Sequence, residues 1–292
     1  MEQLLSEPLS YEFMRNAMGA GILSAILCPV VGSYLIVQRM ALLGDVIAHA
    51  VLPGLVIAAF LKIDLLIGAM TSGLLSAGVI AAIRSQTKVK VDSAMALTFS
   101  SFFGMGILLI SLLKIKVDVD GLLFGNILSV TTEDVWRTAI ATFIVLSAVK
   151  LFYKELLFYT FDQLGAEAVG LPVNWLYFGL ITAITLTIVA SMQTMGVVLI
   201  ISLLIGPALT AYLLVNELSQ MMGLGIAIAL ITVISGMYLS YYFNLPSGAV
   251  IVVLSFIGFL IVLGVTLGIN NFSSFRSSLQ TILKPNLKQR GK

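Results

Sequence analysis

Nine apolar runs of roughly 20 residues fill this chain almost from end to end, parted only by short turns or charged segments. A helix of that length crosses the ~30 Å hydrocarbon core of a bilayer, and it satisfies its own backbone N–H and C=O groups where no water can. The runs lie near 13–37, 41–61, 65–83, 94–113, 135–152, 175–191, 195–215, 220–241 and 246–269. Charged residues make up 10% of the chain and mean hydropathy is +1.08, against roughly 25% charge in soluble domains. The expectation is an all-α, polytopic integral membrane protein with eight to nine transmembrane helices. Eight follow if either the 38–40 turn or the 192–194 turn is only a bend inside one helix.

Loop charges set an expected orientation, because Lys and Arg favour the cytoplasmic side. The last stretch carries Arg276, Lys284, Lys288, Arg290 and Lys292 with no acidic residue. Arg84, Lys88 and Lys90 mark another such loop, and Lys150 with Lys154 a third. Nine spans counted back from these points leave residues 1–12 outside, 13–270 as one membrane domain and 271–292 as a basic cytoplasmic tail. The opening MEQLLSEPLSYEF holds three glutamates and lacks the basic start of a cleavable signal. Pro53–Gly54 and Gly206–Pro207 fall inside spans, so both spans are expected to bend or break there; such breaks are tolerated where they line a cavity or pack within protein.

One residue stands apart chemically. His49 is the single histidine of 292 residues, and it lies in ALLGDVIAHAVLPG four positions after Asp45. On a helix the two project from one face. Ionisable groups inside an apolar span are costly and by default raise a functional hypothesis, and a carboxylate beside an imidazole suits a divalent transition metal. Two ligands do not complete a metal site, but a two-fold pairing of spans would bring two carboxylates and two imidazoles together. The bland alternative has Asp45 capping its helix and His49 hydrogen-bonded within the bundle.

Absent motifs narrow the field. The chain has no GxxxxGK[ST] phosphate loop, no HExxH and no GxSxG elbow. Cys28 is its only cysteine, which excludes an internal disulfide or thiolate cluster. These absences describe a conduit rather than a catalyst. Met192, Met195, Met221 and Met222 would suit a soft cation, though methionine more often fills gaps in packing. Asp118, Asp120, Glu133 and Asp134 in the 114–134 connection would draw cations or simply be solvated. Gly19, Gly21, Gly68, Gly104 and Gly106 are expected to permit close helix approach.

The segment YKELLFYTFDQLGAEAVGLPVN (153–174) is helix-forming, with Gly170 and Pro172 as a stop signal. It reads either as a short helix with a partner at the membrane face or as an amphipathic surface helix with none.

Several stretches, taken in order, resemble a known family: RMALLGDVIAHAVLPG (39–54), GLLFGNILSVT (121–131), YKELLFYTFDQLGAEAVGLPV (153–173), GVVLIISLLIGPALTAYLL (196–214) and LPSGAVIVV (245–253). They look like the membrane permease of metal-chelate-type ABC importers for manganese, zinc or iron, most like the manganese permeases. The resemblance implies a type II-like ABC importer permease in the bacterial inner (plasma) membrane. It implies a homodimer, two cytoplasmic ATPase subunits that hydrolyse ATP in trans, and an external metal-binding protein that delivers the ion. It implies that Asp45 and His49 handle the transported metal as substrate, with no permanently bound cofactor and no enzymatic activity in the chain itself. It also implies that 153–174 is the coupling helix, with Phe161, Asp162, Glu167, Gly170 and Pro172 meeting the ATPase. The family often has Pro then Glu after the FD pair, where this chain has Gln163 and Leu164. A proton-coupled secondary metal transporter is the rival reading, and zinc or iron the rival cargo.

Overall fold

The computed structural model of the chain describes residues 7–114 and 130–283. Regular structure among them is helical throughout. After a 3-10 turn at Pro8–Ser10 come α1 (Glu12–Val37), α2 (Leu42–Ala50), α3 (Leu52–Leu61), α4 (Leu65–Gln86), α5 (Val91–Leu113), α6 (Thr132–Leu151) and α7 (Tyr153–Phe161). The chain continues through α8 (Gln163–Ala168), α9 (Val173–Met195), α10 (Val197–Tyr212), α11 (Leu218–Phe243) and α12 (Ser247–Leu283). With α2 and α3 taken as one stretch, seven helices are long and apolar enough to cross a membrane. The pair α6 and α7, bent by 72°, makes an eighth, and α10 is a shorter apolar helix. Each of the nine expected runs thus has its helix. Asp118, Asp120 and nearly all of GLLFGNILSVT lie outside the described residues, as do residues 1–6 and 284–292. The helix α12 carries on through the first part of the expected tail, to Leu283.

Helix α1 is the centre of the bundle, packed against α6, α9, α10 and α11. Its buried positions include Ala17, Ala20, Gly21, Ser24, Ala25, Cys28, Gly32 and Ser33, small side chains that let neighbouring backbones come close. At Gly32 the space a Cβ would need is taken by the Leu204 carbonyl of α10. Methionines finish the packing: Met192, Met195, Met221 and Met222 are all buried, and Met195 reaches Gly21. This burial fits the gap-filling role of methionine. The glycines behave unevenly. Gly19, Gly21, Gly68 and Gly106 each face another helix, whereas Gly104 faces open space.

The breaks fall close to, but not at, the expected places. The second span parts at Val51, two residues before Pro53, rather than at Pro53–Gly54. Proline has no N–H to give the carbonyl one turn upstream, so its effect appears before it. Ser72 of α4 supports the break by donating a 2.6 Å hydrogen bond to the Ala50 carbonyl. The chain between α9 and α10 parts at Gly196 (φ 78°, ψ 156°) and not at 192–194, which is helical. The helix α10 runs unbroken through Pro207, as α1 does through Pro29.

Two contacts define the ends of the bundle. At one end the Gln38 side chain donates to Thr160 Oγ1 at 3.2 Å, tying the α1–α2 turn to α7. At the other, Arg137 of α6 meets Asp64 at 3.6 Å, and Asn16 of α1 donates to the Val130 carbonyl. The flanks differ sharply in cover. The apolar window of α5 is 11% buried against 72% for α1, so most of α5 has no neighbour among the described residues.

Candidate metal site and coupling elbow

Asp45 and His49 lie on α2, and His49 is about 10 Å along the helix from its first residue. The helical register places them one turn apart, and their side chains meet: His49 Nδ1 is 3.3 Å from Asp45 Oδ1 and 3.0 Å from the Asp45 carbonyl oxygen. A carbonyl oxygen only accepts, so Nδ1 carries a proton and Nε2 points away from Asp45 with its own bonding capacity. That is the arrangement in which a carboxylate orients an imidazole for a metal.

The imidazole is held by an aromatic wall on α5. Phe99 and Phe103 present themselves edge-on to the ring, with centroids at 5.1 and 5.7 Å. The two phenylalanines stack on each other at 5.9 Å, as i, i+4 partners on a helix do. These residues carry no ligand atoms and were invisible to a search for metal donors, although FSSFF contains the i, i+4 signal. The His49 side chain is 19% exposed and that of Asp45 41%, so the pair opens outward beside the uncovered face of α5. Among the described residues no cluster of three His, Cys, Asp or Glu residues exists. A complete coordination sphere therefore needs water or groups from outside this chain.

The acidic residues of the far end serve locally. Asp134 closes a capping box with Thr131 at the start of α6, and Glu133 pairs with Arg137 at 2.8 Å.

The 153–174 segment is a helical elbow of two pieces. Asp162 separates α7 from α8 and caps α8, its Oδ1 accepting from the Gly165 amide at 2.8 Å. Helix α8 ends where Gly170 takes φ +86° and Leu171 donates back to the Ala166 carbonyl, a left-handed cap that glycine fills at no steric cost. Pro172 then stands at the N-cap of α9. One face is anchored, with Leu156, Tyr159 and Ala166 buried. The other is bare: Phe161, Leu164 and Val169 are exposed, and so is Glu167. All five residues expected to meet a partner, Phe161, Asp162, Glu167, Gly170 and Pro172, are exposed.

Residues 10–266 match the ABC 3 transport family. The chain is 42% identical over 253 residues to the manganese transport system membrane protein MntC of Listeria monocytogenes, covering 87% of this chain and 90% of that protein. It is 39% identical over 251 residues to the manganese import system permease protein ScaB of Streptococcus gordonii, covering 86% and 90%. The chelated iron transport system membrane protein YfeD of Yersinia pestis is more distant, 34% identical over 260 residues, covering 89% and 88%. Among solved structures, PsaBC from Streptococcus pneumoniae in complex with Fab superposes with a TM-score of 0.81 at 37% identity, covering 89% of this chain and 94% of that one. An inward-facing putative metal-chelate type ABC transporter shares the fold, with a TM-score of 0.61 at 16% identity. The family match over residues 10–266 and the 42% identity to a manganese transport membrane protein agree with the bundle of apolar helices, and this chain belongs to the ABC 3 transport family.

Proposed function

We propose that this chain is the permease subunit of an ABC importer that carries a divalent transition metal, manganese in the first place, across the plasma membrane. The observation that carries the reading is the Asp45–His49 pair, with Nδ1 turned to the carboxylate and the opposite nitrogen left for a cargo ion. Two copies facing each other across α2 and α5 bring two carboxylates and two imidazoles to one axis. Oxygen and nitrogen donors without sulfur suit manganese, zinc and ferrous iron alike, and carboxylates with water favour manganese. Nothing in the chain binds nucleotide through a phosphate loop, so energy comes from two separate ATPase subunits docked at the elbow. In this reading the elbow end, with the basic tail, faces the cytoplasm, and an external metal-binding protein delivers the ion at the far end.

The test is metal uptake in depleted cells. Manganese accumulation should require both His49 and a hydrolysis-competent ATPase partner, with zinc and iron competing more weakly. Flux in proteoliposomes driven by a pH gradient, with no ATPase present, would overturn the ABC reading in favour of proton coupling.

A further inference from the structure

Beside the elbow lies a cleft of about 260 Å³ that the metal path does not use. It is lined by Gln38, Arg39 and Met40 of the α1–α2 turn, Arg84 from the last turn of α4, and Tyr159, Thr160 and Gln163 of the elbow. Both guanidinium groups are exposed, and neither has an ion-pair partner among the described residues. Arg84 also lies within electrostatic reach of the Tyr159 phenol of the elbow and the Tyr177 phenol of α9.

The backbone at Arg39 adds a second observation. Arg39 has φ 59°, and around it Arg39 N donates to the Ile36 carbonyl and Met40 N to the Leu35 carbonyl. This is the left-handed cap that ends α1, a position where glycine is the favoured residue. An arginine there tolerates a poor backbone conformation while holding its side chain at the cleft. Lys62, Lys114 and Asn244 take the same conformation elsewhere, so what sets Arg39 apart is that its cap lies at the cleft.

We propose that this cleft receives a carboxylate from the ATPase subunit, with Arg39 and Arg84 as its two cationic walls. The proposal rests on the permease reading above and deepens it. The argument for a protein carboxylate is continuity: Thr160, Phe161 and Gln163 all line the cleft, and Phe161 with Leu164 forms the bare apolar face of the same elbow. A planar guanidinium matches a carboxylate in a two-point contact, and two of them set register as well as attraction. The apolar rim supplies contact area, and the arginine pair fixes which way the partner sits.

The experiment uses the full-length chain in nanodiscs and measures capture of its ATPase at low and high ionic strength. The variants are Arg39→Gly, Arg84→Gln and the two combined. Arg39→Gly suits the left-handed backbone, so folding is not at risk. Wild type should bind more tightly at low salt, and the double variant should lose about tenfold in affinity together with most of that salt dependence. Arg39→Lys should recover part of the loss, since it restores charge without the fork. Unchanged affinity and salt dependence in the double variant would overturn the proposal. So would unchanged ATPase capture accompanied by loss of anionic lipid in native mass spectrometry, which would make the cleft a headgroup site. If the wild-type chain captures no ATPase at all, the permease reading itself fails, a result distinct from either.

Discussion

The hydroxyl of Ser72 donates to the carbonyl of Ala50 across 2.6 Å, and this bond spans the point at which the second membrane span breaks. The main chain there lacks the hydrogen bond that Pro53 cannot give. Ser72 is buried, so its hydroxyl has no water to turn to. A side chain on α4 thus fixes the end of the half-helix that carries Asp45 and His49.

Removing that hydroxyl should loosen the break. Ser72→Ala is expected to lower thermal stability in detergent by about 1 kcal/mol, the scale of hydrogen bonds between membrane helices. The measure is the midpoint of a fluorescence size-exclusion melt. A midpoint equal to wild type would show that the break holds without Ser72.

Substitutions at Asp45 and His49 should separate transport from folding. His49→Ala and Asp45→Asn are expected to cut metal uptake by about 100-fold, at or beyond the upper end of what losing an orienting partner costs. Both residues face outward in part, so expression and melting temperature should stay near wild type. Uptake retained in His49→Ala would return the histidine to a packing role against Phe99 and Phe103.

Close backbone contact makes a sharp stability test. At Gly54 the place of a Cβ is occupied by the Gly68 carbonyl and, at 2.6 Å, by the Ser72 Cβ; at Gly68 it is occupied by the Gly54 carbonyl. Gly54→Ala should therefore cost about 1–3 kcal/mol by overpacking. Gly179→Ala is the control, because its Cβ meets nothing, and it should be neutral or gain up to about 1 kcal/mol of helix propensity. Equal melting temperatures for the two variants would contradict the packing described for α3 and α4.

The elbow should divide into surface and scaffold. Phe161→Ala and Leu164→Ala remove exposed side chains, so they should leave stability unchanged and weaken ATPase capture by about tenfold each if they are anchors of the interface. Asp162→Ala removes a cap, so it should cost about 1 kcal/mol and blur α8 as well. Pull-down of the ATPase together with a melt distinguishes the two classes.

Much of this architecture is readable from residue order, and the gaps have physical causes. Every apolar run became a helix because lipid leaves the backbone no alternative. Break positions slipped by two to four residues for separate reasons. Proline acts one turn upstream, so Val51 and not Pro53 marks the break, and a positive φ needs Gly196 rather than the methionines before it. Pairing of Asp45 with His49 follows from i, i+4 spacing alone. Their aromatic wall does not, because Phe99 and Phe103 come from another helix some fifty residues on. The Gln38–Thr160 contact is still more remote, and no local pattern announces it. Arg39, Lys62 and Lys114 all sit at left-handed caps where a glycine rule would not look for them.

The break at Val51 has a mechanical consequence. Below it, α3 is welded to α4 through the backbones of Gly54 and Gly68 and has little freedom to follow any movement. Above it, α2 hangs between that pivot and a turn bonded to Thr160, with only six residues between Gln38 and Asp45. The second span is a short lever on a fixed mount rather than one rod. Asp45 lies one turn and His49 two turns into α2, so a displacement of the elbow would reach that pair through a short length of helix, and the opposite end of the span need not move for it to arrive.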